Sequence, residues 1–163
     1  TDNAAFQGFE FAARILGEPR PLLRHRVSRG FIYNPSSIFQ KSFRDACAKS
    51  PHLPTSPLTG PLEAHLFFHF QRPKAHYSIR SRFDHTKLGA NDRIVDGKLH
   101  TLRADAPSAH QTKKDLDNLV KFVLDAMNGQ VYEDDCQITT IIAKKLFSES
   151  NIPVIDVAIK KIS

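Results

Sequence analysis

Residues 114–138 read KDLDNLVKFVLDAMNGQVYEDDCQI, and both the fold and the chemistry of the chain turn on how this stretch is read. Leu116, Leu119, Val120, Val123, Leu124 and Met127 recur at the spacing of an apolar stripe on an amphipathic helix. Asn128 and Gly129 are residue types that end a helix in the left-handed conformation, and an acidic residue suits the first turn, so a helix is expected from about 117 to 127. Asp117, Lys121 and Asp125 then share one polar face.

Six acidic side chains, Asp115, Asp117, Asp125, Glu133, Asp134 and Asp135, fall within this one stretch of an otherwise basic protein. A carboxylate pair about 4 Å apart costs roughly 1 to 4 kcal/mol at surface-like dielectrics, a cost that a bound cation removes. Asp115 and Asp117 point the same way in an extended segment. Asp134 and Asp135 precede the strand-like run CQITTII, and a turn that returns them to the head of the helix would make carboxylates from two segments converge. All-oxygen donors suit Mg²⁺, with Mn²⁺ as substitute, better than zinc.

These residues resemble a known family. DLDNLVK, then LDAMNG, then VYEDDCQI are similar to the signature of the RusA-type Holliday junction resolvases, small dimeric endonucleases that cut four-way DNA junctions with divalent metal. The resemblance implies an α+β fold, with a mixed β-sheet packed against two main helices. It also implies that Asp115, Asp117 and Asp135 bind metal, with Asp134 as a further candidate, and that Lys121 is the basic residue needed for cleavage. Without the resemblance, Lys121 reads as an i,i+4 salt bridge to Asp117 or Asp125. GEPRPLLRHR and YNPSSIFQKSFRDA are similar to the family's first strand, basic loop and first helix, and PKAHY to its approach to the catalytic region. Lys114 departs from the proline that many members carry there, and residues 74–113 form a long insert.

With 163 residues the chain is expected to be one domain. Its two cysteines, Cys47 and Cys136, give neither a disulfide framework nor a metal spacing, which favours a reducing compartment. Cys136 reads as a small strand residue. No apolar run is long enough for a membrane span, and no glycine-rich phosphate loop supports a nucleotide cofactor. Soluble protein acting where the DNA is, whether cytoplasm and nucleoid or nucleus and organelle, is the expectation.

The net charge is +6, from 23 basic and 17 acidic residues. Residues 113–145 hold five of the basic and six of the acidic ones, leaving 18 against 11 elsewhere. An acidic focus in a basic frame suits a polyanion brought to a metal. Arg20, Arg24, Arg26 and Arg29 are candidates for phosphate contact, and so are Lys74, His76 and Lys114 around the insert.

Along the chain, 9–16 alternates as a strand and 34–49 reads as a helix buried through Ile38, Phe39, Ser42, Phe43 and Ala46. LEAHLFFHFQ at 62–71 is the clearest strand, with His65 and His69 on its solvent or interface side. Residues 74–113 read as a long basic insert loop, and two further strands follow the acidic stretch. The leading expectation is Mg²⁺-dependent resolution of branched DNA by paired symmetric nicks, in recombination or repair, which requires a homodimer. The alternative is a non-catalytic DNA-binding module with a structural cation site. A small-molecule phosphohydrolase fits less well, because the basic frame is wider than a nucleotide requires.

Overall fold

The computed structural model describes residues 7–162. In chain order the elements are β1 (Phe11–Leu16), the hairpin strands β2 (Arg26–Ser28) and β3 (Phe31–Tyr33), helix α1 (Ser37–Ala48) and β4 (Leu62–Phe70). Then come β5 (Tyr77–Arg80), β6 (Asp92–Val95), β7 (Lys98–Leu102), helix α2 (Leu116–Ala126), β8 (Ile138–Phe147) and β9 (Val154–Lys161).

β4 is central because its sequence alternates without a break. Leu62, Ala64, Leu66 and Phe68 are fully buried and Phe70 nearly so, whereas Glu63, His65, Phe67 and His69 are half-buried on the other face. On one side β4 pairs antiparallel with β9, and on the other parallel with β8, giving the mixed sheet order β1-β9-β4-β8. A parallel partner demands a long crossover. That crossover carries the insert and α2, so the topology itself lays α2 across the inner face of the sheet.

Leu119, Phe122, Val123, Ala126 and Met127 of that stretch are buried against the sheet and α1, where Phe43 meets Phe122 edge to face with ring centroids 6.2 Å apart. Burying each such side chain contributes roughly 1.5 to 3 kcal/mol. The helix ends as its residue types dictate. Gly129 sits at φ 73, where a β-carbon would be disfavoured, and Val131 and Tyr132 drop into the core. The buried Tyr132 hydroxyl donates to Leu124 O at 2.7 Å, and Arg44 donates to the carbonyls of Ala126 and Asn128. A cation there also suits the negative end of the helix.

Helix α1 buries Phe43 as expected, with Ala46 partly buried against the core, but its inward face is rotated from the rest of the expected stripe. Gln40, Phe43 and Cys47 are buried and Ile38 is 75 % exposed. Gln40 is drawn in because its amide bridges Asn34 (2.9 Å) and the carbonyl of Phe122 (3.3 Å), so hydrogen bonding overrides the apolar count.

Residues 74–113 are not an irregular loop. After a 3-10 turn at Lys74–His76 they form a three-stranded antiparallel sheet, order β5-β7-β6. Asp96 (φ 50) and Gly97 (φ 71) make the tight turn between β6 and β7, a dipeptide suited to a two-residue hairpin. Tyr77 and His100 are buried together on one face of it and Leu99 on the other, and Arg93 lies over the Tyr77 ring at 4.7 Å. The basic loop expected after β1 likewise runs into regular structure, the β2–β3 hairpin.

On the outer face of the main sheet the charged Asp156 is buried. Asp156 accepts from Arg14 Nε (2.7 Å) and Nη2 (2.9 Å), and His69 Nε2 lies 3.2 Å away. Burial alone would raise this carboxyl, but the bonds from His69 and Arg14 outweigh it and hold the pKa at about 2. Because the folded value lies below the ordinary one, the resulting stabilisation is present above about pH 4 and is lost as pH falls toward 2. Asp156→Asn should therefore cost about 1 to 3 kcal/mol at neutral pH and progressively less in acid, as read by urea denaturation.

Candidate active site

The chain approaches α2 along the end of β8. Phe147 donates from its backbone to Ser108 O (2.8 Å) and His110 to Lys145 O (3.1 Å), while Lys145 Nζ holds the carbonyls of Thr112 (3.0 Å) and Lys114 (2.8 Å). Lys114 then adopts φ 86, a left-handed conformation that costs a non-glycine residue on the order of 1 kcal/mol or more. Its ammonium turns back to Pro19 O (3.2 Å) and Glu18 (3.4 Å) and lies over the Phe70 ring. Lys114 thus secures the kink that delivers Asp115.

Asp115 precedes the first helical residue in an extended conformation and makes no side-chain cap bond, and Asp117 stands in the first turn. Both are exposed, as is Lys121 one turn on. Among the described residues none of the three side chains has a hydrogen bond or ion pair, so the salt bridge that would explain Lys121 structurally does not form. Two carboxylates and an ammonium are left uncommitted at the positive end of a helix, where anionic groups are favoured.

Asp134 and Asp135 do not return to the head of α2. β8 starts beside the first residue of β4 and runs parallel to it, and α2 runs the opposite way. The head of α2 therefore meets Lys145, near the end of β8, and its foot meets the start of β8. The Asp135 carboxyl lies beside those of Asp125 and Asp134, which raise its pKa. From Asp117 to Asp125 is eight residues, about 12 Å along the helix axis. The carboxylates accordingly form two groups on one face, with Lys121 between them. Among the described residues, no three His, Cys, Asp or Glu side chains are close enough to hold a metal ion.

The foot group has unusual electrostatics. Burial, then the hydrogen bonds and charges of Asp125 and Asp134, push Asp135 up to about 6. Asp134 moves the other way, because its carboxylate accepts from the Cys136 N–H (2.9 Å) in a capping box completed by Gln137 (3.0 Å). Cys136 lies in this 3-10 turn rather than in a strand. Its thiol is pushed up, first by hydrogen bonding to Asp134, which disfavours the thiolate a nucleophile needs.

Of the basic candidates, Arg26 and Arg29 are exposed on the β2–β3 hairpin, Arg24 is exposed just before it, and Arg20 lies 3.8 Å over the Phe39 ring. Lys74 is exposed at the start of the insert. His76 stands 3.3 Å from Arg72 and edge-on to Phe147; burial and then the charges of Arg72 and Arg103 depress its pKa. Sequence reasoning missed Arg72, buried and donating to Pro107 O at 2.7 Å, which ties the far end of the insert to β4. It missed Lys145 as well. The signal available for Lys145 was parity: a lysine on the inward-facing register of β8 needs polar partners.

A family model described as endodeoxyribonuclease RusA matches residues 13–160, from β1 through the acidic stretch to β9. The chain belongs to the RusA family. It is an endodeoxyribonuclease of the Holliday junction resolvase class, in a family that acts on branched DNA in recombination and depends on divalent metal. The insert sheet lies inside the RusA match. A protein of Bacillus subtilis (strain 168) named "Uncharacterized protein YqaN" is similar at 28 % identity over 155 residues, covering 91 % of this chain and 94 % of that one. No helix of the described RusA-family chain is long and apolar enough to cross a membrane.

Proposed function

We propose that this RusA-family enzyme resolves four-way junctions by paired symmetric nicks, with Mg²⁺ as the resident ion and Mn²⁺ as an alternative. The observation that carries the reading is the uncommitted set Asp115, Asp117 and Lys121 on the exposed head of α2. The donor chemistry fits a hard cation. Asp135 is raised first by burial and then by the carboxylates of Asp125 and Asp134 that face it, and every candidate donor is oxygen.

Asp115 and Asp117 would hold an ion at the head of α2, and Asp135, in the separate group at its foot about 12 Å away along the axis, would hold a second, with Asp134 orienting the 3-10 turn behind it. When bound, a divalent cation activates water and stabilises negative charge on the scissile phosphate. Lys121 donates to a nonbridging oxygen of that phosphate. Asp135 must lose its proton before it can serve, and the Asp125 carboxylate beside it sets how readily it does so. The arginines of the β2–β3 hairpin grip flanking phosphates, where planar guanidinium groups bind well.

Paired nicks need two equivalent sites on a two-fold axis, so the working form is a homodimer. The free edge of β8 begins just after Asp135 and exposes Ile141 and Ile142, which suits it to the contact.

Incubation with a synthetic four-way junction, a matched linear duplex and a flap, with and without Mg²⁺, tests the reading. Metal-dependent nicks placed symmetrically at the branch point and absent from the duplex are expected. Cutting of linear duplex at the same rate would refute junction resolution.

A further inference from the structure

The β2–β3 hairpin is built like a tool rather than a connection. Arg29 (φ 50) and Gly30 (φ 82) form a tight two-residue turn. Val27 pairs with Ile32 on one face, and Ser28 with Phe31 and Arg26 with Tyr33 on the other. All these side chains are exposed, Val27 at 70 %, Phe31 at 77 %, Ile32 at 75 % and Tyr33 at 44 %. Large apolar groups projecting together from a monomer mark a contact surface.

Charge decides what covers it. Arg24, His25, Arg26 and Arg29 interleave with the apolar side chains, and no Asp or Glu occurs between Glu18 and Asp45. A second copy of the hairpin would set arginine against arginine, whereas DNA supplies phosphates for the arginines and base faces for the apolar groups. The base of the ribbon is fixed to the active-site helix. Leu22 N–H donates to Asn118 O (2.9 Å) in the first turn of α2, and Leu23 N–H to the Ser36 hydroxyl (3.0 Å).

We propose that this hairpin is a wedge that enters the branch point of the junction, with Phe31 and Ile32 against exposed base faces and the arginines on the converging backbones. Apolar wedges on minor-groove proteins unstack base steps in this way. At a branch point less stacking is lost, because the bases there have fewer stacked neighbours. The inference rests on the junction-resolving reading above and adds the element that senses the branch.

The test is binding without divalent metal to a four-way junction carrying 2-aminopurine beside the branch point, and to the matched duplex. Wild type should raise the 2-aminopurine fluorescence on the junction. The double variant Phe31→Ala, Ile32→Ala should abolish that rise and lose roughly tenfold in junction-over-duplex preference, with an unchanged salt slope. Arg26→Ala with Arg29→Ala should instead lower the salt slope by roughly two on both DNAs.

If wild type cuts the junction but the apolar variant matches it in fluorescence and preference, the wedge is wrong and the nuclease reading stands. If wild type neither prefers nor cuts the junction, both fail. A variant that becomes monomeric in sedimentation where wild type is dimeric also overturns the wedge, and makes the hairpin a self-association surface.

Discussion

Asp117→Asn is expected to lower junction cleavage by at least about a hundredfold, while junction affinity measured without metal stays within about twofold. The side chain is exposed and has no partner among the described residues, so asparagine fits its place in the first turn without repacking. The fold should lose only about 0.3 to 1 kcal/mol, from the missing charge at the helix N-terminus. Single-turnover cleavage, filter binding and thermal melting on one preparation separate the readings. Lost cleavage with retained binding and melting places Asp117 in the chemistry. Loss of all three would make it part of a structural cation site, as in a non-catalytic DNA-binding module. Retained cleavage would remove the head of α2 from the active site altogether.

The sequence made α2 and β4 legible because each buries one long face, and a face buried over three turns or nine strand residues leaves an unbroken period. The hairpins were harder to see. Arg29-Gly30 and Asp96-Gly97 are turn dipeptides in plain view, yet their strands are three to five residues long, and Ile94, Phe31 and Ile32 face solvent, so no periodicity accompanies the turns.

For the candidate site the sequence offered residue types but not their arrangement. The choice of Asp115, Asp117 and Asp135 as candidates rests on their spacing to Lys121 in a recognisable signature. That Asp135 meets Asp125 follows from the parallel register of β8 on β4 and the direction of α2, neither of which is local. Asp125, two turns along the helix, read as structural for the same reason. Arg72 and Lys145 act through carbonyls more than thirty residues away in the chain, and only the folded chain shows those carbonyls.

Asp135→Asn should do two opposite things: lower cleavage by roughly a hundredfold and stabilise the metal-free protein at pH 8. The folded carboxyl titrates at about 6 against an ordinary 3.8, so between those values the folded chain holds a proton that the unfolded chain has released. Ionising Asp135 at neutral pH therefore works against the fold. Its favourable contribution is complete below about pH 4 and gone above about 6. Asparagine carries no charge and can donate to Asp125 and Asp134, which would relieve the repulsion. A gain on the order of 1 kcal/mol, or about 2 to 4 °C in Tm, is expected at pH 8, shrinking to nothing near pH 4. Mg²⁺ should raise the Tm of wild type more than that of the variant. In wild type that rise should fade below about pH 6, where a proton competes for the same oxygens. If the variant proves less stable than wild type at pH 8, Asp135 is holding the fold together, and the carboxylates at the foot of α2 are structural rather than poised for a cation.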